Sequence, residues 1–186
     1  ALTGTNANTG GGQITSLAWN PVSGMLYGNT STGFGDTLRG DDLYTINPVT
    51  GAVSFVGTIN YDDVFALAFD QLGDLFGITN GGDLLSIDVG TGAGTNIASG
   101  LGGGLFDIAS RPGDNTMFLS RTTTNELTTI DVGSGAITPV GSYNNTSATN
   151  VVGLAFLGAV PEPGTLALVG AGLLALGARR GRVRNA

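Results

Sequence analysis

The 186-residue chain contains no cysteine, no histidine and no lysine. Each absence removes a class of chemistry. Without Cys there are no disulfides, no thiolate metal sites and no sulfur nucleophile. Without His, the Ser-His-Asp and Cys-His relays cannot form within the chain, and imidazole metal sites are excluded. Without Lys there is no Schiff base and no P-loop lysine. Glutamate is scarce, with only Glu126 and Glu162, and Trp19 is the single tryptophan. Carboxylates are the one catalytic resource left. Asp41–Asp42 and Asp62–Asp63 are adjacent pairs, with Asp36 near the first. Correctly spaced carboxylates run glycoside hydrolysis, and with backbone carbonyls they hold Ca²⁺. Adjacent strand residues face opposite ways, however, and no EF-hand spacing is present. These acids therefore read as solvated loop residues, with no metal and no cofactor expected.

What the chain has in abundance is glycine, 33 residues, with Asp and Asn beside it. These favour turns, and the Thr, Val, Ile and Phe between them favour strands. The fold class expected is all-β. Charge is unevenly spread. Arg179, Arg180, Arg182 and Arg184 crowd the C-terminus, leaving Arg39, Arg111 and Arg121 against thirteen acids over residues 1–160. A body of net charge −10 repels phosphate backbones, so no nucleic-acid partner is expected. The opening ALTGTNANTGGG has neither a basic n-region nor an apolar h-region, so the expectation is a removed start or a fragment.

Repeats organise the middle. SLAWNPVSGMLYG from Ser16, ALAFDQLGDLFG from Ala66 and DIASRPGDNTMFL from Asp107 align, and GLAFLG from Gly153 is a fourth start. A second set keeps the spacing: DLYTINPVTGAVSFVG from Asp42, DLLSIDVGTGAGTNIA from Asp83 and ELTTIDVGSGAITPVG from Glu126. Each unit reads as four short strands. In the first, Phe65, Leu67 and Phe69 alternate with Ala66 and Ala68, so both faces should be buried. By the same alternation Trp19 is expected in the core. Asn47, Asp88 and Asp131 are placed to accept backbone N–H groups at the last hairpin of each unit, and Asn20 does the same between the first two strands. Gly51, Gly92 and Gly135 supply the φ > 0 position. GTGAGT at Gly90–Thr95 is this turn chemistry and not a dinucleotide loop, and GLGGGLF at Gly100–Phe106 is an inter-unit loop. The pattern over about Ile14–Leu157 resembles the YVTN/WD40-like β-propeller repeats of bacterial surface proteins. That resemblance implies a partial propeller of about three four-stranded blades plus an opening strand. Its open ends are expected to be covered by upstream sequence or by another chain; a β-solenoid is the competing architecture.

The tail has a different character. Pro161, Glu162 and Pro163 break it from the body. Residues 166–178 then carry no charge, with Leu166, Leu168, Val169, Leu173, Leu174 and Leu176 as the apolar bulk. As a helix these 13 residues span about 20 Å, short of the ~30 Å hydrocarbon core, so they make a marginal membrane segment. Arg179, Arg180, Arg182 and Arg184 are placed to stay cytoplasmic and leave the acidic body on the far side. This layout resembles the PEP-CTERM sorting signal of Gram-negative bacteria. The resemblance implies recognition and cleavage near the motif by an exosortase, a membrane protease-transpeptidase. It further implies export through an inner-membrane intermediate to the cell surface, often in strains making extracellular polysaccharide.

The organisation expected is thus 1–13 as an outer strand or linker of a truncated blade, 14–158 as propeller-like repeats and 159–186 as the sorting signal. The body is expected to be a non-enzymatic binding or scaffold module for matrix polysaccharide or a surface protein. A propeller-type carboxylate glycosidase or lyase is the alternative, and inward-facing charge would favour it. Among the inner-strand small positions only Asp107 is charged.

Overall fold

A computed structural model of the chain describes residues 13–31, 41–143 and 151–156. The chain divides into two compact units, 1–156 and 157–186, and the second lies outside the described residues. The described part is all-β and holds no helix.

Among the described residues twelve strands form three four-stranded antiparallel sheets, each a simple up-and-down meander. Blade 1 is β1 (Ile14–Trp19), β2 (Leu26–Thr30), β3 (Asp42–Ile46) and β4 (Val53–Thr58). Blade 2 is β5 (Val64–Phe69), β6 (Leu75–Thr79), β7 (Leu84–Ile87) and β8 (Gly94–Ala98). Blade 3 is β9 (Leu105–Ser110), β10 (Met117–Arg121), β11 (Glu126–Ile130) and β12 (Ile137–Ser142). The first strands β1, β5 and β9 lie side by side, as the inner strands of a propeller do.

The turn chemistry is local and holds throughout. Asn47 Oδ1 accepts the N–H groups of Val49 and Thr50 at 2.9 and 3.0 Å. Asp88 Oδ1 accepts those of Gly90 and Thr91 at 3.0 and 2.7 Å, and Asp131 Oδ1 those of Gly133 and Ser134 at 3.0 and 2.8 Å. Asn20 caps its own turn through Val22 and Ser23. Asp70 repeats the device in blade 2, accepting from Leu72 and Asp74. The hairpin glycine Gly92 does more than turn the chain. At φ +79° it lies against the outer strand of blade 1, where an added Cβ would stand 2.6 Å from the Gly57 carbonyl carbon. Two residues without side chains let neighbouring blades meet there.

Burial follows from stacking. Leu67 and Phe69 pack with Ala18, Tyr27, Leu43 and Ile59 of blade 1 in one core. Ala66, Ala68, Phe76 and Ile78 pack with Leu105, Ile108, Met117 and Leu119 of blade 3 in a second. β5 is therefore covered on both faces, as its alternation of large and small residues predicts. Blade 1 departs from expectation: Trp19 is 53% exposed and Leu17 57%. Their counterparts Phe69 and Leu67 are buried by the preceding blade, at 5% and 3%. Alternation sets which way a side chain points; whether that direction is dry depends on a neighbour. Gly153–Phe156 also differs from an opening strand, because residues 151–156 join no ladder. They dock on blade 3 all the same: the Leu154 N–H donates to Asp107 Oδ2 at 2.5 Å, and the Phe156 ring lies 5.1 Å from that of Phe118.

Candidate functional site

Sequence reasoning places the functional residues in the tail: Pro161, Glu162 and Pro163, the apolar run from Leu166 to Leu176, and Arg179, Arg180, Arg182 and Arg184. All lie outside the described residues. Among the described residues no helix is long and apolar enough to cross a membrane.

In the body, the polar residues that the fold brings together sit where blade 1 passes to blade 2. Asn29, Thr30, Ser31, Asp41 and Asp42 are all buried. Asn29 Nδ2 donates to the carbonyls of Thr30 and Val64 at 2.9 and 2.7 Å, and the Asp41 carboxylate accepts the Val64 N–H. Val64 opens β5, so two side chains of blade 1 hold both backbone groups of the first residue of blade 2. Asp42 knits the same end of its own blade. Its N–H donates to Thr30 Oγ1 at 3.1 Å, and its carboxylate accepts from Thr58 Oγ1 at 2.8 Å and from the Tyr44 hydroxyl at 3.3 Å. Blade 2 repeats part of this with Thr79 and Asp83, whose N–H donates to Thr79 Oγ1 at 3.0 Å. Buried polar groups at a sheet end need partners; Asn29 Nδ2 and the carboxylates of Asp41 and Asp42 find them here, while Asn29 Oδ1 and Ser31 Oγ are buried without a hydrogen bond among the described residues.

The Asp41–Asp42 pair is thus divided between two structural duties. The two carboxylates hold different elements and do not form a dyad. No group of three or more acidic side chains among the described residues is arranged to hold a metal ion. In the sequence the Asn29-Thr30-Ser31 triplet reads only as a polar loop, whereas Asn29 is a buried residue of β2. Its hydrogen bond to Val64 crosses 35 residues, and its two carbonyl partners become visible only in three dimensions.

On the inner strands, Asp107 is the charged residue expected there. Burial pushes its carboxyl pKa up, while the N–H groups of Leu154 and Ile108 pull the other way. Asp107 is spent on docking residues 151–156. Asp88 and Asp131 at the hairpins shift downward, chiefly through the hydroxyls of Thr91 and Ser134. Arg111 pairs with Asp114 and lies 5.2 Å from the Phe118 ring centre, while Arg121 donates to the Leu101 carbonyl at 3.1 Å. These contacts maintain local geometry.

Comparison with known proteins bears on both ends of the chain. Residues 159–182 match the family model described as the PEP-CTERM protein-sorting motif. The span takes in Pro161–Pro163, the apolar run and Arg179, Arg180 and Arg182; Arg184 follows it. No curated protein matches the sequence. The body is similar to solved β-propeller repeat proteins. A protein of unknown function from Bacteroides thetaiotaomicron shares 16% identity at TM-score 0.57, over 69% of this chain and 33% of that one. Virginiamycin B lyase from Staphylococcus aureus shares 12% at TM-score 0.55, over 80% and 47%. YCF48, solved with a D1 peptide, shares 20% at TM-score 0.50, over 69% and 40%. The chain spans a third to a half of the length of these structures, and the likeness is one of fold.

Proposed function

From a chain whose residues 159–182 are a PEP-CTERM sorting motif, we propose an exported protein that an exosortase processes near Pro161–Pro163 and delivers to the cell surface or matrix. Its propeller blades serve there as a binding or scaffold module, and no reaction is assigned to them. The observation that carries the proposal is the order of parts: a compact β unit ending at residue 156, then the matched sorting motif from residue 159. Before cleavage the apolar run sits in the inner membrane, with Arg179, Arg180, Arg182 and Arg184 on the cytoplasmic side. The partner of the released body is matrix polysaccharide or another surface protein.

Support for a non-enzymatic body comes from how its acids are used. Asp41 and Asp42 secure blade ends, Asp88 and Asp131 hold turns, and Asp107 docks a chain segment.

The test is Glu162→Ala in a host that makes the processing enzyme. The body should fold unchanged while the uncleaved form accumulates in the membrane fraction. Tail removal at the normal rate would overturn the assignment of the motif.

A further inference from the structure

Asn80–Gly81, in the turn between β6 and β7, is the only Asn-Gly pair in the chain. The carboxamide of an asparagine is open to attack by the amide nitrogen of the next residue, and glycine offers that nitrogen with the least crowding. The other asparagines of the described residues are poorly placed for this reaction. Asn20 and Asn47 precede prolines, whose nitrogen carries no hydrogen. Asn29 is buried. Asn60, Asn96 and Asn115 hold hydrogen bonds through their carboxamides and precede Tyr, Ile and Thr. Asn125 precedes Glu126, which opens β11.

Asn80 differs on each count. It is exposed, as is Gly81. Among the described residues neither its carboxamide nor the Gly81 N–H makes a hydrogen bond. Around Gly81 there is room: an added Cβ would meet only Thr79 Oγ1, at 3.7 Å. The ends of the turn, by contrast, are fixed. The Asn80 N–H donates to the Asp63 carbonyl at 2.8 Å, and the Gly82 N–H to that of Thr79 at 3.0 Å. The Gly82 carbonyl accepts the Leu101 N–H at 3.0 Å, so the turn also ties blade 2 to the segment leading into blade 3. That contact has no slack, since a Cβ on Gly82 would stand 2.7 Å from the Gly102 carbonyl oxygen.

We propose that Asn80–Gly81 is a self-modification site whose co-reactant is water, and that its conversion loosens the junction between blades 2 and 3. The Gly81 nitrogen gives up its proton and attacks Asn80 Cγ. The Cγ–Nδ2 bond breaks, the side-chain nitrogen takes up a proton and leaves as ammonia, and a cyclic succinimide remains. Water then opens the ring. Addition at the side-chain carbonyl gives Asp. Addition at the main-chain carbonyl gives isoaspartate, whose main chain runs through Cβ and Cγ and so gains a methylene. Nothing is oxidised or reduced. Either product adds a carboxylate to a turn already flanked by Asp63 and Asp83. Only isoaspartate also shifts Gly82 away from Thr79 and Leu101. The reaction depends on this turn and holds whether or not the tail is processed.

The test incubates the full chain, dispersed in non-ionic detergent, at mildly alkaline pH in heavy-oxygen water. Digestion and electron-transfer fragmentation then separate isoaspartate from Asp. The Asn80 peptide should exchange its amide nitrogen for heavy oxygen and carry isoaspartate as the main product, while those of Asn96 and Asn125 stay unchanged. Gly81→Ala should slow the conversion about tenfold, or about 1.4 kcal/mol of barrier. It should keep the fold, because Gly81 does not adopt the left-handed backbone of Gly82 and the new Cβ has room. Hydrogen exchange at the Leu101 N–H should be faster in the converted chain than in the parent and in Asn80→Asp, which has the charge without the methylene. An Asn80 amide that persists in the folded chain while the urea-unfolded chain converts would overturn the site. So would Asp formed with no isoaspartate, or Gly81→Ala converting at the parent rate. Isoaspartate with Leu101 exchanging as in Asn80→Asp would overturn the effect on the junction.

Discussion

Ser16 Oγ accepts the backbone N–H of Leu67 at 2.9 Å, joining inner strands 51 residues apart in the chain. Asp107 and Leu154 repeat the relationship two junctions further on. In both, the residue before one blade's anchor receives the N–H of the next blade's anchor. Between blades 2 and 3 the receiving position is Ala66, which has no acceptor. There the Ile108 N–H turns to Asp107 Oδ1, at 2.9 Å. All three anchor N–H groups thus donate to side chains.

Ser16→Ala removes one such acceptor from a half-buried site. The expected loss is about 1 kcal/mol, or about 2–4 °C in melting temperature for a body of this size. Differential scanning calorimetry checks it. A change within error would mean that the Ser16–Leu67 bond contributes nothing to holding the blades together.

The pH dependence separates Asp107 from the hairpin acids. Burial raises the folded pKa of Asp107 above the ordinary 3.8, so its contribution to stability is present in acid and is lost as pH rises through the raised value. Asp88 and Asp131 have lowered values; their contribution is present above 3.8 and is lost as pH falls through the lowered values. Carboxyl carbon NMR should show Asp107 titrating at higher pH than Asp88 and Asp131. Asp107→Asn should remove the decline in stability just above pH 3.8.

Two glycine substitutions distinguish conformational strain from close approach. Gly92 and Gly100 both have positive φ, at +79° and +75°. A Cβ on Gly100 would meet nothing within 4 Å, whereas one on Gly92 meets the Gly57 backbone. Gly100→Ala should cost about 1 kcal/mol, the left-handed penalty alone. Gly92→Ala should cost about 3 kcal/mol, because blades 1 and 2 must also move apart. Equal losses in urea unfolding would remove the close approach as a cause.

At the blade 1–2 junction, Asn29→Leu strands two buried carbonyls and should destabilise by about 3 kcal/mol. Asn29→Asp keeps the shape but sets an acceptor against the Thr30 and Val64 carbonyls, and should do at least as much harm at neutral pH. Protein melting with either variant matching the parent would show that Asn29 does not hold Val64.

The features legible in the sequence are those with local causes. Asn47, Asp88 and Asp131 mark their turns because an Asx side chain bonds its own backbone two or three residues on. The alternation around Leu67 shows both faces of β5 because strand geometry fixes side-chain direction. Trp19 was misplaced because burial belongs to a pair of surfaces, and the sequence pattern describes one. Asp41 reads as a solvated loop acid but is buried, and its role and that of Asn29 are not legible because their target, Val64, lies in another repeat with no spacing rule to reach it. The sorting motif is legible for a different reason: its information lies in the linear order of motif, apolar run and arginines.

β5 contributes to two hydrophobic cores, one shared with blade 1 and one with blade 3. As the polypeptide leaves the ribosome, the middle sheet can settle one side as soon as it appears. Its other side stays wet until residues near Ile130 emerge. Truncation anywhere before that point therefore leaves a sticky nascent product, and the first two sheets should not be separable as an independently soluble piece.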